Sequence, residues 1–150
     1  MALFEKVNED ITLAMKARDK VKLETLRNIK KVFLEAKTAP GANDELKDED
    51  ALKIIQKLAK QGKESADTFA KQNRQDLADA EMAQVNVMLE YLPKPLTDQE
   101  IEEKVKEIIA QTGATSMKDM GKVMGIASKQ LAGQADGSRI SQKVKQLLAQ

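Results

Sequence analysis

The sequence predicts an all-α protein, with an N-terminal antiparallel four-helix bundle followed by a small three-helix domain. Apolar residues recur at steps of three and four along most of the 150-residue chain. No stretch alternates apolar and polar residues in the way a half-buried strand does. Pro93 and Pro95 interrupt the helical pattern, because proline cannot continue a helix. We therefore predict two domains, over residues 1–92 and 93–150.

The first two predicted helices occupy residues 1–37. Arg18 and Asp19 form a polar corner between them, and the second helix ends before Pro40-Gly41, which are poor helix formers. Their apolar faces carry Phe4, Val7, Ile11 and Ala14 in the first helix, and Leu26, Ile29, Phe33 and Ala36 in the second.

The third and fourth helices follow a loop predicted over residues 38–47. Gly62 weakens the middle of the third helix, because glycine costs about 1 kcal/mol relative to alanine in a helix interior. Asn73 ends that helix, since asparagine tolerates the left-handed conformation needed there. The predicted apolar faces carry Ala51, Ile55, Leu58 and Phe69, then Ala78, Met82, Val85, Leu89 and Leu92. Four such helices bury their apolar faces against one another as a bundle.

The second domain has denser helix-capping signals. Thr97 with Glu100 three residues later predicts a capping box, and Gly113 closes that helix. Starts of the next two helices are signalled by Ser116 and by Asp136. The last helix carries Ile140, Val144, Leu147 and Leu148 on its apolar face.

Composition excludes much catalytic chemistry. The chain has no histidine and no cysteine, so it has no imidazole base, no thiolate nucleophile and neither of the ligands that zinc prefers. The acidic run Asp48-Glu49-Asp50 is explained by its position at a helix start, where the helix dipole favours carboxylates. We expect no catalytic activity of the chain's own, no cofactor and no bound metal.

The sequence shows no membrane-spanning segment. No window approaches the roughly 20 apolar residues needed to cross a bilayer. The first residues reach Glu5 before a signal-like apolar run forms. We therefore expect no membrane association and a cytoplasmic location.

Positive charge is concentrated at the C-terminal end. Residues 117–150 contain six lysines and arginines against two acidic residues, which favours binding of a polyanion. In the sixth helix, small residues fall within one narrow band: Gly121, Gly125, Ser128 and Ala132. One side of this band is the predicted core face, made of Met117, Met120, Val123, Met124, Ala127 and Leu131. The other side carries lysines: Lys118, Lys122 and Lys129.

Two interpretations of this band stay open. Small residues bordered by ammonium groups allow close approach of a phosphodiester backbone. Alternatively, the small residues admit a neighbouring helix and the lysines are simply solvated. Arg139 and Lys143, four residues apart on the last helix, extend the same basic patch, whereas Lys145 points elsewhere. Tyr91 is interpreted as a packing residue at the domain junction rather than a base-stacking residue.

Five short motifs along the chain are specific in combination. They are Arg74-Gln75-Asp76-Leu77, Glu90-Tyr91-Leu92-Pro93-Lys94-Pro95-Leu96, Asp119-Met120-Gly121-Lys122-Val123-Met124-Gly125, Gly133-Gln134-Ala135-Asp136-Gly137, and Val144-Lys145-x-Leu147-Leu148. Together they resemble the YqeY proteins of the GatB/YqeY family. The sequence departs from that pattern at Asn73, where the family has glycine, and at Lys47, where a capping residue is usual.

The resemblance implies a function as well as a fold. A similar module forms the C-terminal region of GatB, a subunit of the glutamine-dependent amidotransferase acting on Glu-tRNA or Asp-tRNA, and contacts tRNA there while the chemistry occurs elsewhere. It is also appended to some glutaminyl-tRNA synthetases. The resemblance thus implies a non-catalytic tRNA-binding accessory protein. Two alternatives are a module that docks on a tRNA synthetase or amidotransferase, and a subunit of a carbon–nitrogen ligase complex with glutamine as amido-nitrogen donor.

Overall fold

The structure, a computed structural model, describes residues 2–149, which contain seven α-helices and no strand. The all-α prediction is therefore confirmed. The helices are α1 (Leu3–Ala17), α2 (Lys20–Lys37), α3 (Asp48–Lys71), α4 (Gln75–Leu89), α5 (Asp98–Thr112), α6 (Met120–Gln130) and α7 (Gly137–Leu148). A single 3₁₀ turn, Met117–Asp119, precedes α6.

The chain divides into two compact units, Met1–Leu92 and Pro93–Gln150. Each unit has its own core, built almost wholly from aliphatic side chains and alanine. In the first unit the fully buried core residues are Val7, Ala14, Leu26, Ile29, Phe33, Ala51, Ile55, Ala59, Val85 and Met88. In the second they are Ile101, Val105, Ile108, Val123, Ala127, Leu131, Ala135, Ile140, Val144 and Leu148.

The corner between α1 and α2 satisfies the backbone of both helices. Arg18 adopts the left-handed conformation with φ 56°, which lets the Asp19 N–H donate to the carbonyl of Ala14 at 3.0 Å. The Asp19 carboxylate then accepts the Lys22 N–H at 3.1 Å as the N-cap of α2. Two polar residues therefore reverse the chain without an intervening loop.

The turn between α3 and α4 follows the expectation for Asn73. This residue is left-handed, with φ 59°, and its N–H donates to the Ala70 carbonyl at 3.1 Å. The next N–H, of Arg74, donates to the Phe69 carbonyl at 2.8 Å. This pair of bonds is a Schellman motif, which ends a helix by satisfying its last carbonyls.

The end of α4 differs from the sequence prediction. The helix stops at Leu89, and residues 90–92 form turns, so Leu92 is packed against the core from outside the helix. Met88, which the predicted face omits, is 4% exposed and belongs to the core. The apolar spacing alone did not separate the helix from the turn that follows it.

The acidic run at the start of α3 has a structural use. Lys47, at the N-cap position, makes no side-chain capping bond. Instead the Asp48 carboxylate accepts the N–H of Leu3 at 2.9 Å, at the first residue of α1. Because Ala2 has no side chain that can cap α1, Asp48 supplies a cap from a residue 45 positions away.

Gly62 lies at a close contact between α3 and α4. The helix continues through it without interruption, and a Cβ atom built on Gly62 would lie 2.5 Å from Cγ2 of Val85. This residue is buried, so its lack of a side chain allows the close approach of α4. The glycine that weakens α3 as an isolated helix is a packing requirement of the folded unit.

Tyr91 is a structural residue of the first unit. Its ring packs against the first core, and its hydroxyl donates a hydrogen bond to the carboxylate of Asp10 in α1. Lys6 lies 3.9 Å from the same carboxylate. Partial burial and the neighbouring Asp10 charge raise the pKa of the Tyr91 hydroxyl well above its usual range. The bond ties the segment after α4 to α1.

We expect Tyr91→Phe to lower the free energy of unfolding by about 1.5–3 kcal/mol at neutral pH, the usual value of a hydrogen bond to a charged group. Since folding raises the pKa of Tyr91, its stabilising effect is complete below the unfolded pKa of 10.0 and is lost as pH rises through the folded value. Urea titrations at increasing pH measure this. The alkaline loss should be smaller in Tyr91→Phe, and an equal loss in both proteins would contradict the assignment.

In the second unit the capping predictions for α5 and α7 hold. Thr97 and Glu100 form the capping box, Gly113 closes α5 in the left-handed conformation with φ 71°, and the Asp136 carboxylate accepts the Ser138 N–H at the start of α7. The N–H of Leu96 donates to the Gln134 carbonyl at 3.0 Å. The chain entering α5 is therefore fixed to the turn that precedes α7.

The start of α6 was predicted less well. Ser116 caps the 3₁₀ turn, accepting the Lys118 N–H at 3.4 Å, and α6 begins only at Met120. Met117, predicted as a core residue, is 45% exposed. That assignment was wrong because the tighter 3₁₀ turn rotates the residues before α6 off the regular 100° spacing.

Candidate nucleic-acid interface

The α6 helix has a buried face and an open face. Val123 and Ala127 are fully buried, with Met120 and Met124 packed beside them. The opposite face carries Gly121, Lys122, Gly125 and Lys129, as the helical spacing predicts, whereas Lys118 lies in the 3₁₀ turn before α6. We call this face, with the lysine of the preceding turn, the α6 strip, defined as Lys118, Gly121, Lys122, Gly125 and Lys129.

Within residues 93–149 of the second unit nothing covers the two glycines of the strip. A Cβ atom built on Gly121 or on Gly125 would have no neighbouring atom within 4 Å apart from its own helix backbone and chain neighbours. Within that part of the second unit no helix packs on Gly121 or Gly125, so the interpretation in which small residues admit a neighbouring helix requires a partner protein. Ser128 and Ala132, at the edge of the band, are half-buried. The glycines leave the α6 backbone open to an external partner.

The lysines of the strip are available for binding. Lys118, Lys122 and Lys129 are exposed, and none forms an ion pair with a carboxylate within the part of the chain that the structure describes. The carboxylate of Asp119, next to Lys118 in sequence, instead accepts the N–H of Thr115 at 3.1 Å. The strip therefore presents ammonium groups that no salt bridge neutralises.

Arg139 has a partner within the second unit. Its Nη2 atom lies 2.6 Å from Oδ1 of Asp98 and 3.3 Å from the Leu96 carbonyl oxygen. The guanidinium keeps the pKa of the Asp98 carboxyl below its usual range, with a smaller effect from the charge of Lys143. Arg139 thus connects α7 to the start of α5, which is a structural contact that helical spacing alone does not reveal.

Arg139 and Lys143 line a groove between α7 and the start of α5. We call it the α7 groove, lined by Asp98, Arg139, Gln142, Lys143, Lys145 and Gln146. No α6 residue lines it, so the predicted site residues fall into two groups, the α6 strip and this groove. Lys145 also borders the groove, although it is two positions from Lys143 and projects from a different side of α7.

Sequence reasoning missed the polar residues of the α7 groove. Gln142 and Gln146 follow Arg139 at steps of three and seven, so they share its face of the helix. That spacing is a usable signal, but charge alone does not single out uncharged glutamines. Asp98 carried no signal, since its approach to α7 depends on tertiary packing.

The arrangement suits binding of a polyanion. Both surfaces combine lysine or arginine with small or amide side chains, and lysine and arginine are the usual ligands of phosphate groups. Among residues 2–149, no cluster of three or more acidic side chains is placed to hold a metal ion. In the same residues no helix is both long enough and apolar enough to cross a membrane.

Fold and surface together define a helical protein of two units, with an uncovered basic strip on the second. A sequence profile of the family described as Yqey-like protein matches residues 4–148, nearly the whole chain. The chain belongs to the YqeY family, as the five sequence motifs indicated.

Two relatives carry the same name, "Altered inheritance of mitochondria protein 41, mitochondrial". The one from Pyrenophora tritici-repentis (strain Pt-1C-BFP) is 29% identical over 147 residues, covering 95% of this chain and 79% of the relative. The one from Clavispora lusitaniae (strain ATCC 42720) is 29% identical over 115 residues, covering 75% and 66% respectively. This chain thus spans most of the first relative's length and about two thirds of the second's.

Proposed function

We propose that this protein is a non-catalytic tRNA-binding accessory protein that holds the RNA backbone on the α6 strip. The single observation that carries the proposal is the strip itself, in which two uncovered glycines share a face of α6 with exposed Lys122 and Lys129, and exposed Lys118 lies in the preceding turn. None of these lysines forms an ion pair within residues 2–149. The family resemblance to the tRNA-contacting region of GatB supports the choice of tRNA. The proposed location is the cytoplasm.

The physical basis is electrostatic. Each lysine that neutralises a phosphate releases condensed counterions, so affinity falls with salt in proportion to the number of phosphates neutralised. Gly121 and Gly125 lack side chains that would hold the RNA away from the helix, which brings the ammonium groups closer to the phosphates. Close approach in a less solvated setting strengthens each charge–charge interaction.

A filter-binding titration with transcribed tRNA over a salt series tests the proposal. We expect the wild-type affinity to fall steeply with salt, and Lys122→Glu to weaken binding about tenfold at low salt and make the salt dependence shallower. The control is Lys53→Glu, which makes the same charge change at an exposed lysine of α3 and should change affinity little. Absent or salt-independent binding would overturn the proposal.

A second candidate function uses the same open glycines. The free space above Gly121 and Gly125 also suits a helix of a partner protein, such as a tRNA synthetase or an amidotransferase. Gly125→Leu should then abolish capture of that partner in pull-down experiments, while Lys122→Glu should not. Under the tRNA proposal, Lys122→Glu weakens RNA binding whether or not a protein partner is present.

A third candidate is a subunit of a carbon–nitrogen ligase complex with glutamine as amido-nitrogen donor. It is distinguished by assaying glutaminase and amide transfer with the purified chain, alone and with an amidase subunit. We propose no catalytic residue in this chain, and therefore expect no turnover by the chain alone. Stimulation of an added amidase by this chain would favour the third candidate.

A further inference from the structure

We propose that the α7 groove binds the ribose–phosphate backbone and selects RNA over DNA through Gln142 and Gln146. This inference rests on the proposed function, since it assigns a second contact to the same RNA. The α7 groove differs in chemistry from the α6 strip. The strip offers only ammonium groups and open backbone, whereas the groove also has two amide side chains.

The fixed part of the groove is Arg139. Its guanidinium is held between the Asp98 carboxylate, at 2.6 Å, and the Leu96 carbonyl oxygen, at 3.3 Å. The Asp98 charge is therefore matched by Arg139, and Lys143 and Lys145 remain as a net charge of two on the groove. No ion pair joins either lysine to a carboxylate in the described part of the chain. The groove thus attracts an anion rather than a cation.

The length of the groove fits a short run of backbone. Arg139 and Gln146 lie seven residues apart on α7, which is about 10 Å at the helical rise of 1.5 Å per residue. The groove can therefore contact a short run of backbone, with Lys143 and Lys145 as ligands for phosphates on the two sides of α7 that these lysines occupy.

The glutamines supply what the lysines lack. An amide side chain both donates and accepts hydrogen bonds, as does the ribose 2′-hydroxyl, which distinguishes RNA from DNA. Gln142 and Gln146 are four residues apart on one face of α7 and are exposed, so both can reach sugars while the lysines bind phosphates. Ammonium groups bind the phosphates of RNA and DNA alike. Selectivity for RNA over DNA therefore depends on the amide side chains.

The experiment measures the affinity of the protein for three ligands: a transcribed tRNA, a short single-stranded RNA, and a single-stranded DNA with the sequence of that short RNA. We expect the wild-type protein to prefer the short RNA over its DNA by roughly fivefold for each amide–hydroxyl bond. Gln142→Ala/Gln146→Ala should remove that preference by weakening RNA binding while leaving DNA binding and the salt dependence unchanged. Gln111→Ala, an exposed glutamine at the other end of α5, is the control and should keep the preference.

The outcomes separate the two proposals. Two results would overturn the role of the groove without affecting the proposal of tRNA binding. One is an RNA preference that persists in Gln142→Ala/Gln146→Ala, and the other is equal binding of RNA and DNA by the wild-type protein. Failure of the wild-type protein to bind tRNA at low salt would overturn the proposed function and this inference together. Thermal melts of each variant check that the exposed substitutions leave the fold intact.

Discussion

Replacing all three lysines of the α6 strip by glutamate is expected to reduce tRNA affinity at low salt on the order of a thousandfold, counting about tenfold for each charge-assisted interaction. The variant is Lys118→Glu/Lys122→Glu/Lys129→Glu. Its salt dependence should become shallower by roughly 0.9 in the log–log slope for each duplex phosphate that the protein no longer neutralises. Filter binding over a salt series measures both quantities.

The matched control carries the same charge change elsewhere. Lys53→Glu/Lys57→Glu/Lys63→Glu alters net charge equally on exposed α3 lysines of the first unit. If binding depends on the strip, this control should retain most of its affinity. If both triple variants lose affinity equally, the attraction is a property of overall charge, and the strip is not the binding surface. Exposed lysines without ion pairs contribute little to folding, so both variants should melt near the wild-type temperature.

Gly62→Leu is expected to destabilise the first unit by about 3 kcal/mol or more, because the new side chain enters space occupied by Val85. Even a Cβ atom would lie 2.5 Å from Val85 Cγ2. Valine is stiff at χ1 in a helix, so the clash must be relieved by moving α3 and α4 apart. Urea denaturation followed by circular dichroism measures the loss.

A double-mutant cycle separates this clash from helix propensity. Gly62→Ala gains about 1 kcal/mol of helix propensity but is expected to lose more through overpacking against Val85. In a Val85→Ala background the clash disappears, and Gly62→Ala should become stabilising. If Gly62→Ala already stabilises the protein with Val85 present, the close packing of α3 and α4 is not what requires glycine.

Local signals in the sequence were sufficient for most of the fold. The capping box of Thr97 and Glu100, the N-cap at Asp136 and the left-handed Asn73 are determined by residues within a few positions of one another. Such motifs fix helix ends before any tertiary contact forms, which is why they can be read from sequence. The same holds for the exposed lysines and glycines of α6, whose placement follows from helical periodicity.

Features that depend on distant residues could not be predicted. Asp48 caps α1 from 45 residues away, and the Asp98–Arg139 pair joins residues 41 apart, so neither leaves a local pattern. For Gly62, the sequence indicates only the cost in helix propensity. Its packing against Val85 is not visible there, because Val85 lies on another helix. Met117 was misplaced because a 3₁₀ turn breaks the α-helical period. Each of these features requires the packed structure.

The most direct test of the central claim is to map tRNA binding onto the protein by amide NMR of the ¹⁵N-labelled full chain. We predict that addition of tRNA shifts or broadens the signals of Gly121, Lys122 and Gly125 at sub-stoichiometric ratios. Their buried neighbours on α6, such as Val123 and Ala127, should change less. Perturbations confined to residues 1–92, or none at low salt, would contradict the claim that this protein binds RNA through the α6 strip.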